Sequence, residues 1–128
     1  TSSAALVAAA RARIEEVDTK DAIAMVDDPN VTFVDLRDVR ERQRSGCIPG
    51  SVQAPRGMVE FWVDPESPYF KDVFAQDKTF VFHSATGWRS ALTVATLQDM
   101  GFDAAHLREG FSEWVKQGGP VEMPEPKA

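Results

Sequence analysis

One stretch of the sequence combines residue types and spacing that can do chemistry. Ser84-Ala85-Thr86-Gly87-Trp88-Arg89-Ser90 follows the apolar run Thr79-Phe80-Val81-Phe82-His83 and precedes an apolar-patterned segment, so it reads as a strand, a tight turn at Gly87 and the first turn of a helix. A turn and helix start of this kind aim several unpaired backbone N–H groups at one point, and the helix dipole adds partial positive charge there. Such a cradle suits an anion. Arg89 adds a permanent charge near its rim, and Ser90 is expected to cap the helix through its hydroxyl. A cysteine at the first position of such a loop would be held as a thiolate with a depressed pKa, able to attack sulfur or phosphorus at neutral pH. Here that position is Ser84.

The other reactive side chains offer less. Ser84 as a hydrolase nucleophile, with His83 or His106 as base, lacks the G-x-S-x-G elbow because Phe82 and Thr86 hold the flanking positions. A strand also directs His83 to the face opposite its neighbour. Cys47, the single cysteine, is either a resolving or substitute thiol or, as lone cysteines more often are, a small buried hydrophobe. His83 ends a buried strand and is expected to be either a satisfied core residue or one that packs behind the loop, and His106 falls in the last strand. Neither has paired ligands, so no metal is expected, and no cofactor. Trp88 sits where the cradle faces outward, either shaping the entrance for a protein acceptor or packing against Phe61 or Trp62. Arg37, Arg44 and Arg56 are expected to add positive potential around the loop, with an ordinary solvated arginine the alternative for Arg44.

The elements that must position these residues follow from periodicity. Residues 4–13 predict an N-terminal helix packed on the outside, and residues 14–17 a short strand. Asp18 stands where a helix N-cap belongs, ahead of Ala22, Ile23 and Val26 and the breaker Asp28-Pro29-Asn30. Residues 31–36 predict a buried strand, residues 40–44 a short polar helix, and residues 47–55 a proline-rich loop with a brief strand at its centre. Two short amphipathic pieces at 58–62 and 69–74 carry aromatics expected in the core. After the strand at 79–83, a helix over 90–100 is predicted with an apolar face of Leu92, Ala95, Thr96 and Met100, closed by Gly101. A strand at 104–107 and a helix at 111–117 complete the chain. Strands alternating with helices imply an α/β domain with a mainly parallel sheet, in which ligands gather at the carboxyl ends of strands, where residues 84–89 fall.

Ser84-Ala85-Thr86-Gly87-Trp88-Arg89-Ser90-Ala91 resembles the active-site loop C-x-x-G-x-R-S-A of the rhodanese-like sulfurtransferases, with serine at the catalytic cysteine. Val34-Asp35-Leu36-Arg37 is similar to that family's V-D-V-R strand end, and Gly46-Cys47-Ile48-Pro49-Gly50-Ser51 to its G-H-I-P-G-A loop with Cys47 in place of histidine. Leu107-Arg108-Glu109-Gly110-Phe111 through Trp114, then Gly118-Gly119-Pro120-Val121, resembles the L-x-G-G-x-x-x-W and G-x-P-V ending, with Glu109 replacing the first glycine. The resemblance implies a single rhodanese-like α/β domain over 1–128, its core at about 14–121, with a helix at 1–13, a tail at 122–128, and a central sheet flanked by helices on both faces. It implies a cysteine that takes sulfane sulfur from a thiosulfate-like anion, holds it as a persulfide and passes it to a thiol or cyanide acceptor, or to a protein acceptor. Ser84 falls on the sulfur-carrying position and Arg89 on the closing arginine, both catalytic. Ala85, Thr86, Gly87, Trp88 and Ser90 fall on the substrate-binding cradle, and Asp35 and Arg37 on supporting positions beneath it.

Related dual-specificity phosphatases carry five residues between cysteine and arginine, whereas four separate Ser84 from Arg89, a ring better suited to sulfur than to phosphate. A hydroxyl cannot hold transferable sulfane sulfur, so the chain as written is expected to be inactive. Two explanations stand: a Cys→Ser form of an active sulfurtransferase, or a naturally non-catalytic member that binds an anion or a protein.

Composition bounds these readings. The chain has 128 residues, 43% of them hydrophobic, with 14 Lys+Arg against 20 Asp+Glu and a net charge of -6. This fits one globular domain and, with no basic run, neither nucleic acid nor a membrane surface as partner. Cys47 alone excludes an intrachain disulfide and points to a reducing compartment, the cytoplasm. Residues 4–10 lack the charged leader and the apolar length of a secretory signal.

Overall fold

Two apolar runs set the centre of the sheet. Val31–Asp35 (β2) and Thr79–His83 (β4) each bury four consecutive side chains, the pattern of strands covered on both faces. They pair in parallel from Val31 opposite Thr79 to Asp35 opposite His83, which brings the ends of both strands level beneath the loop at residue 84. The structure, a computed structural model, describes residues 1–124. Of the expected tail, residues 125–128 lie outside the described residues.

Three shorter strands complete the sheet: Glu15–Val17 (β1), Val52–Gln53 (β3) and Ala105–Leu107 (β5). The order is β1-β5-β4-β2-β3 and every pairing is parallel. Such pairings need crossovers, which Thr19–Ala24 (α2), Val39–Ser45 (α3), Val59–Val63 (α4) and Trp88–Asp99 (α5) supply, while Ser3–Arg11 (α1) precedes β1 and Gly110–Lys116 (α6) follows β5.

Alternation along the strands divides the core between the two faces. Val34, Phe80 and Phe82 pack with Val59, Val63, Phe74, Val94 and Leu97 under α4 and α5. Phe33, Val81, Ala105 and Leu107 pack with Ala22, Phe111 and Trp114 under α2 and α6. Trp114 is fully buried, meets Phe33 edge-on at 5.6 Å between centroids and donates its indole N–H to the Pro120 carbonyl at 2.8 Å. α1 lies over α5 through Val7, Ala10, Ala91 and Ala95. No helix among the described residues is long and apolar enough to cross a membrane.

The structure corrects several local expectations. α5 begins at Trp88, two residues ahead of the predicted Ser90, because Gly87 already makes the turn. Its buried face is Ala91, Val94, Ala95 and Leu97, whereas Met100 is exposed and Leu92 and Thr96 are half-buried; α1 and the sheet cover it from two sides. Asp18 does precede α2 but makes no side-chain cap and pairs instead with Arg108. The aromatics at 58–74 divide: Phe74 is buried, while Phe61 and Tyr69 are exposed and stack edge-on against each other.

Candidate active site

The loop after β4 is held in shape by two glycines and the start of α6. Gly87 has φ 90°, the left-handed region open to glycine, and a Cβ there would overlap the Arg108 carbonyl. Gly110, at φ 78°, lies so close that a Cβ would stand 2.6 Å from the Ala85 carbonyl carbon and the Thr86 nitrogen. Two amides of α6 then clamp the loop backbone: Phe111 N–H donates to the Ser84 carbonyl at 2.9 Å and Ser112 N–H to that of Ala85 at 3.0 Å. The glycine that resembles the second G of the L-x-G-G ending is therefore the one on which the loop rests.

Ser84 forms the floor, 1% exposed. Its Oγ accepts the Ser90 N–H at 3.3 Å and lies 3.5 Å from the Ser90 Oγ. Among the described residues the N–H groups of Ala85, Thr86, Gly87, Trp88 and Arg89 meet no acceptor, so the loop carries a run of free amide donors at the start of α5, where the helix dipole is positive. Thr86 and Trp88 stand exposed at the rim. Trp88 makes no aromatic pair with Phe61, which pairs with Tyr69 instead. Ser90 is not the cap expected of it: Gly87 takes that position, and the Ser90 hydroxyl turns inward to His106 Nδ1 at 2.9 Å.

Arg89, the residue expected to close the cradle, stands part-buried at the start of α5 with its guanidinium turned to α3. Both terminal nitrogens donate to the Glu41 carboxylate of α3, at 2.9 and 3.1 Å. This pairing lowers the Glu41 pKa and raises that of Arg89. Arg89 thus ties α5 to α3 at the rim. Glu41 itself closes a capping box with Asp38 at the start of α3.

Beneath the loop, Asp35 at the end of β2 and Arg37 form a buried ion pair. The fully buried Asp35 carboxylate accepts the Arg37 backbone N–H at 2.9 Å, Arg37 Nε at 3.1 Å and Nη2 at 2.9 Å, and Arg42 Nη1 at 2.8 Å. Arg37 also donates to the Gly46 carbonyl at 2.8 Å and lies 4.1 Å above the Phe111 ring. Burial would raise the Asp35 pKa, but His83, protonated in the acid range where Asp35 titrates, and Arg37 together outweigh it and hold the carboxyl below its usual range. Of the two expectations for His83, the structure favours the residue packed behind the loop over the satisfied core residue. Its Nδ1 is 3.4 Å from the Ser84 carbonyl, while Nε2 finds no hydrogen-bond partner and stands 3.8 Å from Asp35. Full burial pulls its pKa down to about 4, so the ring is neutral at pH 7.

Of the remaining candidates, Cys47 is buried, with its backbone bridged to Glu122 through hydrogen bonds of 2.8 and 2.9 Å. Arg56 pairs with Glu60 at 2.7 Å and Arg44 is exposed. Glu16 and Glu41 were missed by sequence reasoning. Glu16 reaches His106 only because β1 and β5 lie in register, Glu16 opposite His106, and nothing local in the sequence signals that pairing. Three clefts that share Phe102 in their lining lie away from the loop and have no residue in common with it. The loop can therefore stabilise negative charge above the atom carried at position 84, which suits either an oxyanion or an ionised nucleophile.

Comparison with known proteins agrees with this geometry. A solved protein of unknown function from Rhodopseudomonas palustris, described as a possible tyrosine phosphatase, is 48% identical with a TM-score of 0.91, covering 95% of each chain. A rhodanese-related protein from Thermoplasma volcanium, 23% identical, shares the fold with a TM-score of 0.71 over 86% of this chain and 99% of its own. The thiosulfate sulfurtransferase/rhodanese-like domain-containing protein 3 of Mus musculus is 29% identical over 98 residues, which span 72% of this chain and 62% of that protein. The family model of the rhodanese-like domain matches residues 18–117. That match takes in every strand from β2 to β5 and the whole of the loop at 84–90, and the chain belongs to the rhodanese-like domain family.

Proposed function

We propose that the loop is a sulfurtransferase site of the thiosulfate type whose carrier position is held by Ser84, so that the chain as written binds a small sulfur oxyanion without transferring sulfur. The observation that carries this is the run of free N–H donors at residues 85–89 above the buried Ser84. A thiolate at position 84 would be favoured by these donors and by the Ser90 N–H. It would attack the sulfane sulfur of thiosulfate, forming an S–S bond, while the bond to the sulfonate sulfur breaks and sulfite leaves with its electron pair. An acceptor such as cyanide or a thiol then takes the sulfane sulfur and returns the thiolate. A hydroxyl at that position holds its proton too tightly and forms no such persulfide.

Phosphoryl chemistry, suggested by the description of the Rhodopseudomonas relative, fits less well. Four residues rather than five separate Ser84 from Arg89, and the Arg89 guanidinium is bound to Glu41 rather than free to clamp a phosphate. A non-catalytic binding module is the second reading, favoured by Ser84 itself and by the exposed Trp88 at the rim. Residence in the cytoplasm is part of the proposal.

The test is thiosulfate-to-cyanide transfer by the chain and by its Ser84→Cys variant, side by side. Turnover by the variant alone supports the reading. Absence of turnover in both overturns it in favour of binding.

A further inference from the structure

The polar chain leading away from Ser84 has a direction. Glu16 Oε2 lies 2.9 Å from His106 Nε2, and Arg11 Nε donates to the same oxygen at 2.9 Å, which keeps the carboxylate charged. Nε2 must then carry the ring proton. Burial, against the pull of Glu16, lowers the His106 pKa, so the resting ring is neutral and Nδ1 is an acceptor. The Ser90 hydroxyl, 2.9 Å away, therefore donates to it. With that hydrogen committed, the Ser90 oxygen offers only lone pairs to the Ser84 hydroxyl at 3.5 Å. Each hydroxyl hydrogen in the chain points away from position 84 and toward His106. Ser84, Ser90 and His106 are all buried, and Glu16 at the far end is part exposed.

We propose that Ser90, His106 and Glu16 form a proton relay serving the group at position 84, with His106 as the base. The proton of the hydroxyl, or of a thiol, at position 84 moves to Ser90 Oγ as the Ser90 proton moves to His106 Nδ1. The electron pair of the broken O–H or S–H bond stays on the atom at 84, which already accepts the Ser90 N–H at 3.3 Å, and the imidazolium is held by Glu16. The proton returns by the same route when the nucleophile is regenerated. This rests on the functional reading above only in placing the reacting atom at position 84. Charged groups facing His106 are Glu16 from β1, Arg11 from α1 and Arg108 from the turn after β5; those around position 84 are Arg89 of α5 and, through His83, Asp35, Arg37 and Arg42 below. Of these, Glu16 alone is hydrogen-bonded to His106.

The relay is tested in the Ser84→Cys background by the pH dependence of iodoacetamide alkylation, with mass spectrometry resolving the introduced thiol from Cys47. His106→Asn keeps an amide able to hydrogen-bond Ser90 but unable to take a proton. Ser90→Ala breaks the chain at its centre and is compatible with the interior of α5. Each is expected to raise the ionisation midpoint of the thiol by about one unit, roughly a tenfold loss of reactivity at neutral pH, with rates converging at alkaline pH. The double variant is expected to shift no further than either single one, because both interrupt the same path. An unchanged midpoint in Ser90→Ala, or in His106→Asn verified as folded by circular dichroism, overturns the relay, and so do additive shifts. A purely structural role for His106 would lower the melting temperature and leave the midpoint in place. Sulfur transfer is not the readout: shifted midpoints without transfer retain the relay and overturn the functional reading, whereas transfer with unshifted midpoints does the reverse.

Discussion

Replacing Arg37 by methionine separates what the buried ion pair contributes from what its bulk contributes. The substitution removes the Arg37 Nε and Nη2 bonds to Asp35, the bond to the Gly46 carbonyl and the guanidinium over Phe111, while methionine refills much of the volume. The fully buried carboxylate keeps the backbone N–H of residue 37 at 2.9 Å and Arg42 at 2.8 Å. Breaking a buried pair costs about 3–5 kcal/mol; with one cation remaining, the expected loss near neutrality is about 3 kcal/mol, the low end of that range. The pH dependence has a definite sign. Asp35 titrates below its usual range in the native protein, so its charged form stabilises the fold above the unfolded carboxyl pKa, and this is lost as pH falls through the folded value. In Arg37→Met, burial acts on Asp35 with less opposition and the carboxyl titrates higher. Protonation then relieves the variant while the native protein is still charged, so the gap between them narrows toward pH 4. Urea unfolding of both proteins near neutrality and near pH 4 measures this. A gap below about 1 kcal/mol at neutrality, or one that does not narrow in acid, would mean that the buried Asp35–Arg37 pair does not hold the floor of the loop.

Two other substitutions probe the loop and its floor. Gly87→Ala places a Cβ against the Arg108 carbonyl at φ 90° and is expected to cost about 2 kcal/mol or more and to weaken thiosulfate binding in calorimetry; an unchanged melting temperature contradicts the clamp described. His83, with a pKa lowered to about 4, is neutral when folded but binds a proton when unfolded below about 6.5, so stability rises with pH across that window by about 3 kcal/mol. His83→Phe, which can still stack on Phe111, is expected to flatten that rise in acid unfolding, and a profile parallel to the native one would exclude His83 as its source.

How much of this was legible in the sequence depends on the distance over which each feature is decided. The strand runs at 31–36 and 79–83 and the turn at Gly87 are local patterns, and each lies where the sequence puts it. The start of α5 was misplaced because serine is a good cap, yet glycine in the left-handed region ended the turn first. Its buried face was misread because a helix covered by α1 as well as by the sheet has two apolar sides, whereas a single stripe expects one. Phe61 and Tyr69 satisfy each other at the surface, which composition alone does not foresee. The two contacts that define the chemistry around the loop, Arg89 with Glu41 and His106 with Glu16, join residues 48 and 90 positions apart. Strand order and register create them, and no local pattern in this chain encodes either.

Position 84 is where sulfur would be carried. This is tested most directly by incubating the Ser84→Cys variant with thiosulfate and locating added sulfur by peptide mass spectrometry. One extra sulfur atom is expected on the introduced thiol, lost on adding cyanide, with none on the buried Cys47 and none on the chain as written. Sulfur on Cys47 instead, or on neither thiol, would contradict it.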